Sequence, residues 1–124
     1  MAKSISDRVL DGALNIIKNN CTRMIACSAE PTNFTQANST YALADQTMAS
    51  TDYTVANGDT SGRKVTAAAK TGIPVDVTGT VNHVAHVDVA GSSLEFVTTT
   101  ASQAVGAGGT LDIGAHKFEI GDPA

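Results

Sequence analysis

The sequence contains no tryptophan, and aromatic residues make up only 4% of it. It therefore offers no obvious stacking platform for bases or sugars. Charge is also scarce: 16% of residues are Asp, Glu, Lys or Arg, and the net charge is −4. A nucleic-acid binder needs a basic face to neutralise phosphates, so this balance argues against that class. No stretch approaches the roughly 18 apolar residues of a membrane span. The start, Met1-Ala-Lys-Ser, leads into an amphipathic pattern and not into an apolar run before a cleavage site, so no signal peptide is visible. The expectation is a soluble protein made in a cytoplasm, without a membrane or nucleic-acid partner.

Cysteine is limited to Cys21 and Cys27. On one extended strand they would share a face but stand roughly 20 Å apart, at ~3.3 Å per residue. A disulfide needs Cα atoms within about 7 Å, so no bridge is expected. The spacing fits no zinc ribbon or thioredoxin-like motif. Both cysteines read as small buried hydrophobes in a reducing compartment.

What the chain has is Ala, Val, Thr and Gly, a composition suited to thin, tightly packed sheets with many turns. Its 124 residues suffice for one domain with a modest core. Ser4–Asn19 carries the one convincing helical period: Ile5, Val9, Ala13, Ile16 and Ile17 recur at three- and four-residue spacing, and Leu10 and Leu14 widen the stripe. Lys3, Asp7, Arg8, Asp11, Lys18 and Asn19 take much of the other side. Ser4 or Ser6 can cap the helix, with Asp7 near the positive end of its dipole. Two readings stay open: the stripe covers the open end of a sheet, or it docks on a partner subunit through Ile5, Val9, Leu10, Leu14 and Ile17.

From Thr22 the period changes. Thr22–Ser28 reads as a strand and Ala29–Tyr41, polar and turn-rich with Pro31, as a long loop. Ala42–Ala49 is a short helical turn or an extended segment. Thr51–Ala56 and Lys64–Ala69 flank Asn57-Gly58 and Ser61-Gly62 as a hairpin. Ile73–Thr78, Val81–Val89, Leu94–Thr100, Thr110–Ile113 and Lys117–Ile120 follow, punctuated by glycine. The fold class expected is mainly β: a single-domain β-sandwich or barrel-like fold of about 7–8 short antiparallel strands with an N-terminal amphipathic helix. Residues 1–20 form the helical part of that domain and 21–124 the β part.

The stretch VNHVAHVDV, residues 81–89, is the strongest hint of chemistry. Strand alternation places Val81, His83, Ala85, Val87 and Val89 on one face, and Asn82, Val84, His86 and Asp88 on the other. His83 and His86 then point apart and cannot share an ion. His86 with Asp88 would supply two ligands on a solvent-facing row, short of the three or four a zinc site needs. His83 reads as a core histidine whose ring nitrogens need partners. GDTSGRK, residues 58–64, departs from a phosphate loop: three residues separate its glycines, Arg63 stands at the lysine position, and a strand follows. Asp59 with Arg63 or Lys64 is expected as a surface pair. No serine sits in a G-x-S-x-G elbow, and His116 lies apart in a Gly-Ala-His-Lys context. No catalytic, cofactor or metal residues are expected.

SDRVLDGALNIIKNNCTRMIACSAEPTNF, TYALAD, DYTVANGDTSGRKVTAAAKTGIPVDVTGTVNHVAHVD and the closing LDIGAHKFEIGDPA resemble a family of small structural proteins of tailed bacteriophages and prophages. The resemblance runs from Ser6 to Pro123 and is strongest at Gly58–Val65, Thr78–Asp88 and Glu119–Pro123. It implies a non-enzymatic virion component, foremost a capsid decoration (cement) protein on the capsid surface, made in the bacterial host cytoplasm. The implied partners are the major capsid protein and copies of itself; a homotrimer would suit the local three-fold points of a shell. The alternative it implies is a tail- or fibre-associated receptor-binding β-module. A saccharide site of that kind would call on Phe34, Tyr41 or Tyr53.

Overall fold

A computed structural model describes residues 4–123. Lys3, expected on the polar side of the helix, lies outside them, as do the other terminal residues of the expected domain. The fold is mainly β, with 49% of residues in strands and 20% helical. Helix α1 spans Asp7–Asn20. Nine strands follow: β1 Arg23–Cys27, β2 Ala42–Thr47, β3 Tyr53–Asn57, β4 Arg63–Ala67, β5 Lys70–Pro74, β6 Gly79–Asp88, β7 Ser93–Val105, β8 Thr110–Ile113 and β9 His116–Ile120. All pair antiparallel, in sheets of order β2-β1-β6-β7, β3-β4-β9 and β5-β8.

Ser6 caps α1, its hydroxyl accepting from the Val9 amide at 3.4 Å, and Asp7 occupies the first turn. Both groups satisfy the positive end of the helix. Leu10, Leu14 and Ile17, at i, i+4 and i+7, are the residues it buries. Its other ties are polar. The Lys18 ammonium donates to the carbonyls of Ser50 and Tyr53, at 2.9 and 2.7 Å. Arg63 of β4 donates from Nε to Asp11 Oδ1 at 2.7 Å.

The main core lies where α1, the four-stranded sheet and the two smaller sheets meet. Leu14, Met24, Tyr53, Val65, Ile73, Val81, Val84, Phe96 and Leu111 fill it. The opposite face of the four-stranded sheet is covered too. Ile25, Cys27, Ala85 and Val87 are buried there beneath Ala37, with Phe34 and Tyr41 packed alongside. The expected loop, residues 29–41, is thus a lid over the sheet, with a π-helical turn at Gln36–Thr40. Phe34, Ala37 and Tyr41 recur at helical spacing, which is what lets this polar stretch present one apolar side. Arg23 pins the turn by donating to Asn38 Oδ1 at 2.7 Å.

Because both faces of β1 are covered, four of its five residues are buried. Cys21 and Cys27 do not share a face as expected. Cys21 caps α1 and belongs to the main core, whereas Cys27 belongs to the cluster under the lid. Both are free and buried. Ala42–Thr47 takes the extended alternative; its outer side receives Asp76 and Val77, whose amides donate to Leu43 O.

The β3–β4 hairpin turns through Gly62, at φ +68°. A Cβ there would also strike the carbonyl of Ile120 at the end of β9, so the close approach of that strand requires glycine. Asp59 in the same turn pairs with Lys64 at 2.7 Å and with Lys117, while Arg63 reaches back to the helix instead.

Candidate functional site

Strand β6 keeps the expected alternation from His83 to Val87, with Val84 and His86 toward the main core and Ala85 and Val87 under the lid, and departs from it before His83. Its register with β7 passes from Val81–Gln103 to His83–Thr99, so Thr100, Ala101 and Ser102 stand opposite Asn82 alone. Across this bulge Val81 and Val84, three residues apart, both enter the main core. His83 and His86 point to opposite faces as expected, across from Cys27 and Met24 of β1; what fails is the solvent-facing row, because both faces of this sheet are covered. His86, expected on a solvent-facing row, is 0% exposed, and His83, expected in the core, is half-buried with Nδ1 2.7 Å from Asn82 Oδ1. Asp88 does not join His86; its Oδ1 accepts from the Gly91 amide at 3.0 Å and closes the β6–β7 turn.

Around His86 the fold assembles an aromatic group that no local motif announces. Phe96 of β7 stacks on its ring, with centroids 5.2 Å apart and 18° between planes. Tyr53 of β3 meets it edge-on and places Oη 2.8 Å from Nδ1. His116, the first residue of β9, places Nε2 2.6 Å from Nε2 of His86. The other ring nitrogen of His116 lies 2.9 Å from the Gly114 carbonyl. Phe118, 41% exposed, packs on Phe96 and extends the group to the surface.

The hydrogens of this chain follow from its fixed end. A carbonyl only accepts, so His116 Nδ1 carries a proton. In the neutral imidazole Nε2 is then bare and accepts from His86 Nε2–H. That leaves His86 Nδ1 bare, and it accepts from the Tyr53 hydroxyl. Burial, and secondarily His116, pushes the pKa of His86 down from 6.5 to about 3, and burial raises that of Tyr53. The phenol and the inner imidazole are therefore held neutral.

Beside His116 lies a cavity of about 240 Å³, walled by Val84, Thr98, Thr99 and Thr100 on one side and Ile113, Gly114, Ala115 and His116 on the other. It opens where β7 and the β8–β9 turn face each other. Both His116 nitrogens are engaged in the chain, so the ring flanks this cavity without a free donor. Among the described residues no group of three or more His, Cys, Asp or Glu side chains could hold a metal ion.

The residues expected to meet a partner divide into two sets. Leu10, Leu14 and Ile17 are covered by this chain itself, whereas Ile5 is half-buried and Val9 is 59% exposed. Val9 heads a second stripe with Gly12, Ala13 and Ile16, the last 49% exposed. A Cβ on Gly12 would meet nothing within 4 Å, so packing within this chain does not require glycine there. Of the aromatics expected at a saccharide site, Tyr53 is buried and Phe34 and Tyr41 are half-buried against the lid cluster. No helix among the described residues is long and apolar enough to cross a membrane.

Comparisons with protein-family models, curated proteins and solved structures find no match to this chain.

Proposed function

We propose that this protein is a non-enzymatic structural component of a tailed-phage virion, a capsid decoration protein that assembles with copies of itself and with the major capsid protein. The observation that carries the reading is the second helix stripe. Val9, Gly12, Ala13 and Ile16 form an apolar face on α1 that the described residues leave uncovered. A mid-helix glycine costs about 1 kcal/mol relative to alanine, and here a Cβ would meet nothing within 4 Å, so no crowding among the described residues requires it. Small residues flanked by Val9 and Ile16 let another helix approach closely, and the same face on a second copy fits it: in an antiparallel crossing, Val9 of each copy stands opposite Ile16 of the other. Sequence resemblance supplies the virion setting. In that setting, many weak contacts repeated over a shell add up through avidity.

Immunogold labelling of intact particles from the host that encodes the chain tests this function. Label spread over the head is the expected result. Label confined to the tail or its tip would replace the decoration role with a tail- or fibre-associated one, and absence of label would contradict a place on the virion surface.

A further inference from the structure

The chain Tyr53–His86–His116–Gly114 runs from a buried phenol to a half-buried imidazole, and its donors and acceptors admit one order when every member is neutral. Addition of one proton removes that order. Protonated His116 donates from both nitrogens, to Gly114 O and toward His86 Nε2. His86 Nε2 already carries a hydrogen in the neutral chain. The two N–H groups then oppose each other across 2.6 Å, unless His86 moves its proton from Nε2 to Nδ1. In that second tautomer His86 Nδ1–H donates to Tyr53 Oη, and the hydroxyl hydrogen of Tyr53 loses its acceptor in a site that is 1% exposed. A buried donor without a partner is unfavourable, so the reversed chain is weaker than the original one.

We propose that Tyr53, His86 and His116 form an acid-responsive switch, in which protonation at His116 reverses or breaks the chain and frees the β8–β9 turn from the core. The moving part is set by geometry. His116 begins β9 and holds Gly114 through Nδ1, and residues 113–116 form one wall of the cavity whose other wall is Val84 and Thr98–Thr100. Release of His116 from His86 widens that cavity and admits water to the aromatic group. On the β3 side are the Cys21 thiol and the Asp52 carboxylate, the latter bound to Lys70 at 2.7 Å. On the β7 side Phe96 and the threonines carry no charge, but Glu95 beside Phe96 and Asp88 at the end of β6 both act on Cys21, and Lys117 is the neighbour in β9. Burial disfavours a cation on His86.

The chain has two tyrosines, Tyr41 and Tyr53, and no tryptophan. A Tyr41→Phe variant therefore reports Tyr53 alone by fluorescence. At neutral pH, nitrogen-15 NMR of the unmodified protein should place the ring proton on Nδ1 of His116 and on Nε2 of His86. On acidification, while far-ultraviolet circular dichroism stays constant, the Tyr53 signal should shift with the same midpoint as the His116 ring. His116→Asn should abolish that shift. A Tyr53 signal that stays flat through the His116 titration would overturn the proposal. So would a neutral-pH proton on His86 Nδ1, or a shift that survives in His116→Asn. The NMR assignment needs no substitution, so the proposal stays testable if a variant fails to fold.

Discussion

Phe96 and His86 face each other as stacked rings from neighbouring strands, directly paired in the β6–β7 register. The pair joins the apolar core to the one fully buried polar side chain among the described residues. His86→Ala removes a stacked ring and strands both the Tyr53 hydroxyl and His116 Nε2. A loss of about 3 kcal/mol is expected from the cavity and the unpaired groups together. Urea unfolding at neutral pH measures it, and a loss under ~1 kcal/mol would mean that the site relaxes around the gap.

The same residue makes the protein sensitive to acid. The folded state holds the pKa of His86 at about 3, below its ordinary value of 6.5. Between these values the unfolded chain binds the proton and the folded chain does not. Stability is thus fully present above pH 6.5 and is lost as pH falls toward 3, by up to about 1.4 kcal/mol per pH unit. His86→Phe should flatten the slope of unfolding free energy against pH over this range. An unchanged slope would assign the acid sensitivity to other groups.

The inward face of α1 behaves as core. Leu14 is 0% exposed, and Leu14→Ala should cost about 2–5 kcal/mol. Leu10→Asp buries a carboxylate without a partner and should unfold the chain, which circular dichroism would show at once. A folded Leu10→Asp protein that merely failed to assemble would move Leu10 from the core to an interface.

Burial raises the thiol pKa to about 12 at Cys21 and to about 11 at Cys27. Neutral, covered thiols react slowly. Neither should be alkylated at pH 8 until denaturant is added, when both should react together. Rapid labelling of Cys27 alone would show that the lid, with its turn at Gln36–Thr40, opens on its own.

Much of this architecture was legible in the residues, and the part that was not has identifiable causes. The β3–β4 hairpin follows from Asn57-Gly58 and Ser61-Gly62, and β8 lies where Thr110–Ile113 predicts it. The helix was legible from its period, but one stripe served two faces: Leu10, Leu14 and Ile17 point inward, while Val9 and Ile16 point outward. In β6 the alternation held from His83 to Val87, but the row expected to face solvent is covered by other segments, and nothing within VNHVAHVDV signals that. Tyr53, Phe96 and His116 come from three other strands, and only tertiary pairing brings them to His86. Their one trace in the sequence is that a buried histidine must find partners for its nitrogens. The lid was the missed local signal, since Phe34, Ala37 and Tyr41 already carry a helical spacing inside a polar segment.

Sedimentation equilibrium of the intact chain beside an Ile16→Asp variant tests the central claim most directly. The account predicts that the unmodified protein sediments as a multiple of 12.6 kDa. Ile16→Asp, at a position 49% exposed, should stay folded and shift to the monomer. A monomer at all concentrations for the unmodified protein, or an oligomer indifferent to Ile16→Asp, would contradict assembly through this face.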